Sequence, residues 1–117
     1  MKVIIAGSRH YEDIEHVRQA MRECEFDVDV VISGAARGVD QLGEQWAAEN
    51  GIKVQQFYAD WYKYEKRAGM IRNAAMAGCA DALVAVWDGE SRGTRHMINT
   101  MRRLGKRVYV YYADDPL

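Results

Sequence analysis

Five short apolar runs alternate with four segments of helical periodicity along this chain, and that alternation leaves few architectures open. Val3-Ile4-Ile5-Ala6 and Ala82-Leu83-Val84-Ala85-Val86 are continuously apolar, as strands buried on both faces are. Val28–Ile32 is the second strand, apolar over Val30-Val31-Ile32, whereas Ile52–Phe57 and Arg107–Tyr112 mix apolar with polar residues in the manner of edge strands. Between them, Asp13 stands as an N-cap before Ile14, Val17, Met21 and Cys24 at helical spacing. Val39, Leu42 and Trp46 share the face of a second helix, closed by Gly51. A third helix, Arg67–Gly78, is rich in small residues, and a fourth turns Met97, Ile98, Met101 and Leu104 inward before Gly105. Tyr58–Lys66 reads as an aromatic, charged loop and Asp114–Leu117 as a short acidic tail. The βαβαβαβαβ order over residues 1–117 predicts one α/β domain of three layers around a five-stranded parallel sheet. Central apolar strands, polar edges and right-handed crossovers together give the order 3-2-1-4-5.

In that order the chain reverses direction between strands 1 and 4, and open α/β sheets bind ligands in the crevice beyond such a reversal. Three loops meet there: Gly7-Ser8-Arg9, Ser33-Gly34-Ala35-Ala36-Arg37-Gly38, and the segment containing Asp88 and Ser91-Arg92-Gly93-Thr94. Each combines glycine, a hydroxyl and an arginine, a composition suited to phosphate through backbone N–H groups and forked guanidinium charge. No Ser, Thr, Asp or Asn occupies Ala35–Gly38, which leaves the next helix without a side-chain cap and its N–H groups open to an anion. Asp40, in the first turn of that helix, is either a favourable acid at its positive end or an acceptor for ribose or base donors. Arg72 and Asn73, early in the third helix, are either solvated or turned to the crevice. Ser91 is equally a helix N-cap or a ligand contact. Trp61, Tyr62 and Tyr64 form either a stacking wall for a base, a subunit interface or a lid packed on the core, and His10 and His96 are further polar residues near the loops.

Several classes are disfavoured. Sixteen basic against 17 acidic side chains give a net charge of −1, so a broad polyanion surface is not expected and nucleic acid is a weak candidate partner. No apolar run is long enough to span a membrane, and the short apolar start reads as a strand rather than a leader. Cys24 and Cys79 stand apart from each other and from histidine, so no metal is expected and both thiols read as reduced packing groups of a cytoplasmic protein. GxGxxG and GxxxxGK[ST] are absent, so no resident dinucleotide or other cofactor is expected. The small-residue helix and the aromatic loop suggest a homodimer or larger homo-oligomer.

The motif set Gly7-Ser8-Arg9, Ser33–Asp40, Arg72-Asn73 and Gly93-Thr94 resembles that of the SLOG superfamily, in particular its YspA/YpsA-related branch. The similarity runs over nearly the whole chain. It implies a Rossmann-like fold that binds nucleotides or nucleotide-derived ligands: some relatives sense ADP-ribose-type or cyclic nucleotide signals in antiphage defence. LOG enzymes, more distant relatives, cleave a nucleoside monophosphate at its N-glycosidic bond, and DprA, another, processes DNA. Met70-Ile71-Arg72-Asn73-Ala74 resembles the LOG segment that carries an Arg-Lys pair, with Asn73 in place of the lysine. Ala80-Asp81-Ala82 and Gly93-Thr94 are similar to LOG motifs as well. The LOG catalytic glutamate falls at Met97, and the loop before Gly93 lacks the proline and paired glycines of those enzymes. The resemblance therefore favours binding of a nucleotide-derived ligand over LOG-type hydrolysis, for which Asp40, Asp88 and Glu90 are the carboxylates left.

Overall fold

A strand that is apolar on both faces is stable only in the middle of a sheet, between two layers of helix. The computed structural model, which describes residues 1–113, puts both such strands there; the acidic stretch 114–117 lies outside the described residues. The chain forms β1 (Lys2–Gly7), α1 (Ile14–Cys24), β2 (Val30–Ser33), α2 (Val39–Glu49), β3 (Lys53–Gln56) and a short α3 (Trp61–Tyr64). A 3-10 turn (Glu65–Arg67) then leads into α4 (Ala68–Cys79), β4 (Ala82–Trp87), α5 (Arg92–Arg103) and β5 (Arg107–Tyr112). All pairings are parallel, in the order β3-β2-β1-β4-β5. Ile4 sits opposite Ile32 on one side and Leu83 on the other.

The period-2 alternation of the central strands divides the core in two. Val3, Ile5, Val84 and Val86 pack with Val17, Met21, Val39 and Ala47 of α1 and α2. Ile4, Leu83 and Ala85 pack with Met76, Ala77, Met97 and Met101 of α4 and α5. The edge strands are more polar, with Lys53, Gln55 and Gln56 of β3 exposed.

Helix ends follow local chemistry. Asp13 caps α1 by accepting the Glu15 N–H at 2.9 Å. Where the sequence predicts a loop over Tyr58–Lys66, the structure has α3, whose cap Asp60 accepts the Lys63 N–H at 3.0 Å; four residues are too few to show a period. Leu104, expected inward, is 53% exposed. α5 stops at Arg103 and the chain turns through Gly105, so Leu104 lies past the end of the packed layer. Cys24 is buried, but Cys79 is only partly so. Among the described residues, no helix is long and apolar enough to cross a membrane.

Candidate functional site

The reversal between β1 and β4 opens a cavity of about 310 Å³ at the C-terminal ends of the strands. Its floor is apolar, from Ala6, Met76 and Met97. Its walls come from three places: Gly7, Arg9 and His10 after β1; Ala36 and Asp40 at the start of α2; and Arg72 and Asn73 on α4. Ser91, Arg92, Gly93 and Thr94 close it at the start of α5. Arg92 and Gly93 are the first two residues of that helix rather than loop residues, with Thr94 third.

Ser8 is buried at 1% exposure and does not line the cavity. Its hydroxyl accepts from the Ser91 hydroxyl at 2.9 Å and from the Asp88 N–H at 3.3 Å. Its carbonyl accepts the Val39 N–H at 3.3 Å. Ser8 thus ties the loops after β1 and β4 to the start of α2. Asp88 folds its own loop: Oδ1 accepts the N–H groups of Glu90 and Ser91, both at 2.8 Å, and Oδ2 accepts the Ser91 hydroxyl at 3.2 Å. Burial works against its charge, but these donors outweigh it and hold its pKa below the usual carboxylate range.

Ser91 occupies the N-cap position of α5, yet its hydroxyl is committed to Ser8 and Asp88 and makes no cap bond. The first turn of α5, at Gly93 and Thr94, therefore meets the cavity without a side-chain cap.

The loop after β2 is built differently. Ser33 is fully buried, donating to Glu44 at 2.7 Å and accepting the Ala35 N–H at 3.0 Å. Gly38 caps α2 at φ +77°, and a Cβ there would lie 2.5 Å from the carbonyl oxygens of Ser8 and Arg9, so only glycine fits. α2 has no side-chain cap, as its sequence predicts, but the Ser8 carbonyl already holds its first N–H. Of Ser33–Gly38, only Ala36 reaches the cavity. Gly34, Ala35 and Arg37 instead line an adjoining groove of about 400 Å³, which shares Arg9, Ala36 and Arg72 with the cavity. Tyr58 and Trp61 form its outer wall, whereas Tyr62 and Tyr64 line neither space.

Arg72 is the central charge. It donates to the Gly34 carbonyl and to Asn73 Oδ1, both at 3.2 Å, while its Nε is buried without a partner. Gly34 leaves the space this needs: a Cβ there would fall 2.8 Å from Asp40 Oδ2 and 3.1 Å from Arg72 Nε. Burial lowers the Arg72 pKa, and the nearby Asp40 opposes this. Asp40 is 5% exposed, accepts the Ala36 N–H at 3.2 Å, and is pushed up to about 6 by burial against the pull of that N–H and of Arg72. Asn73 passes the network on, donating to the Gly93 carbonyl at 3.3 Å and meeting His96 Nδ1 at 3.2 Å. With the Asn73 amide assigned this way, Nδ1 is the acceptor and His96 is neutral, in line with the lowering of its pKa by burial and then by Arg103.

Sequence reasoning assigned neither Met76 nor Met97 to this wall, named His10 only as a polar residue near the loops, and had Ala36 only as one member of the Ser33–Gly38 loop. His10 directly follows Gly7-Ser8-Arg9, and the two methionines lie one helical turn beyond Arg72 and Thr94, so helical spacing carried the signal.

The family model described as YspA, cpYpsA-related SLOG family matches residues 1–64. The Gene 61 protein of Mycobacterium phage D29 is 33% identical over 125 aligned residues, covering 98% of both chains. Among solved structures, DNA processing protein A (DprA) from Streptococcus pneumoniae superposes with a TM-score of 0.75 at 20% identity, over 93% of this chain and 49% of that one. The fold is thus shared with about half of the DprA chain. By sequence and architecture together, the chain belongs to the YspA, cpYpsA-related SLOG family.

Proposed function

We propose that the protein binds a nucleotide or nucleotide-derived ligand, a phosphorylated ribose compound, in the cavity at the strand ends. The observation that carries the reading is the Arg72 guanidinium. It is half-buried in the cavity wall, fixed by neutral acceptors, with its Nε unpartnered and no carboxylate within ion-pair distance among the described residues. A desolvated cation left in this state has its natural partner in an anion from outside the chain. Arg9 beside it, together with Arg92 and the uncapped start of α5, adds further donors to the same wall, and the Met76–Met97 floor suits the apolar face of a ribose or base. Arg37 belongs to the adjoining groove, and Ser8, Ser33, Gly38 and Asp88 hold the loops in place rather than face the ligand.

Binding fits these side chains better than hydrolysis. Asp88 has its oxygens committed to its own loop, Glu90 is exposed outside the cavity, and Met97 occupies the place of the LOG glutamate; of the three candidate carboxylates only Asp40 lines the cavity, and its Oδ2 is engaged by the Ala36 N–H. α4 also leaves Met70, Ile71, Ala74 and Ala75 exposed, which supports a homo-oligomer. A phage relative of near-equal length makes nucleotide signalling or defence a fitting context.

Calorimetry with nucleoside monophosphates, ADP-ribose and cyclic dinucleotides tests the reading. At least one ligand is expected to bind, with a loss of more than about tenfold in Arg72→Met. Arg95→Met, which removes a guanidinium engaged outside the cavity by Gly89 and Trp87, should retain affinity. Absence of binding across the panel overturns it.

A further inference from the structure

We infer that the groove beside the cavity is a second ring-binding subsite, and that the ligand is a two-headed nucleotide whose phosphate bridge crosses Arg9 and Arg72. The inference rests on the nucleotide reading of the cavity and adds the class of compound it takes. The two spaces are not independent. They meet along Arg9, Ala36 and Arg72, so a phosphate held on that ridge has room for one substituent on each side. The cavity side is floored by methionine and alanine; the groove side is walled by two aromatic rings and Arg37. Aromatic faces with an arginine beside them suit a planar base, which stacks without demanding a particular pattern of hydrogen bonds.

Tyr58 and Trp61 are 71% and 52% exposed, so both rings have surface open to a planar group in the groove. The chain fixes them at this rim. Asp60 caps the single turn that carries Trp61. The indole lies over Gly69, its Cη2 3.6 Å from where a Cβ would stand, an ordinary packing distance. Tyr58 donates its hydroxyl to Gln56 at 2.5 Å. Ala35, in the wall of the groove, takes left-handed backbone at φ +58° although it is not glycine. Such strain persists only where surrounding structure enforces it.

The test is calorimetry with AMP, ADP and diadenosine diphosphate on the full chain. The dinucleotide is expected to bind about tenfold or more tighter than ADP, the gain of one stacked base. Replacing both rings, Tyr58→Ala with Trp61→Ala, should bring the dinucleotide down to the level of ADP and leave ADP itself within about twofold. Tyr62→Ala, at a fully exposed ring outside both spaces, controls for surface change. If the dinucleotide binds no tighter than ADP, or keeps its advantage in the double variant, the second subsite falls and the nucleotide reading stands. If none of the three binds, the nucleotide reading fails for these ligands and the second subsite fails with it.

Discussion

Asp40 is a carboxylic acid in surroundings that disfavour its charge. Burial raises its pKa to about 6 in the folded chain, against an ordinary value of 3.8. The proton is thus held more tightly in the folded state, and the stability this gives is full below about pH 4 and lost as pH rises through 6. Asp40→Asn removes the charge and keeps an oxygen for the Ala36 N–H. It is expected to be more stable than the native chain at pH 7.5, by about 1–3 kcal/mol, and so to melt higher, with the gap closing near pH 4. A gap that stays constant between those pH values in thermal melts would show that the carboxylate charge is not the cause. The position of Asp40 in the first turn of a helix was legible in the sequence. Its burial was not, because Gly34 and Arg72, which crowd it, come from two other elements. Arg72 and Asn73 read as a pair in the sequence, and both do line the cavity. That Asn73 also ties α4 to α5 through Gly93 depends on a packing between helices that no local pattern encodes.

α4 carries Arg72 and Asn73, so its placement sets the cavity wall. Its C-terminus lacks a left-handed glycine; Ala80 is extended there. Lys106, from the turn before β5, donates its ammonium to the Ala77 and Ala80 carbonyls at 2.6 and 2.7 Å. A cation at this end satisfies orphan acceptors and complements the helix dipole. Lys106→Met should lower stability by about 1–3 kcal/mol, read as a lower urea midpoint with an unchanged slope. Unchanged stability would mean that water replaces the ammonium at no cost. Elements with several turns or uninterrupted apolar runs were legible, as α1 shows from its Asp13 cap through Cys24. α3 was not: its signal is one cap residue and four positions, and it is held in place through Trp61 over Gly69. Leu104 kept the spacing of an inward residue, but the helix ended before the layer could cover it.

At the scale of the whole molecule, the sheet order was readable because hydrophobic pattern and chain connectivity impose the same answer. β1 and β4 must be central, and right-handed crossovers then leave little freedom. The same gradient of burial predicts a gradient of opening. Amides of Val3–Ile5 and Leu83–Val86 are expected to exchange only on global unfolding, while those of Lys53–Gln56, on an edge with exposed side chains, should exchange at least about a hundredfold faster by local opening. Equal protection of the two sets in native-state hydrogen exchange would contradict this. The groove beside the cavity was not legible at this scale, because it forms between a loop after β2 and a segment more than twenty residues later. The Ser8–Ser91–Asp88 linkage, finally, joins the loops after β1 and β4 into one piece. Such a site does not have to wait for its walls to assemble around an arriving molecule. On the proposed binding reading, capture is expected to run at the pace of encounter, hastened by the exposed Arg9 and Arg92 at the mouth, with differences among ligands expressed in how long each one stays.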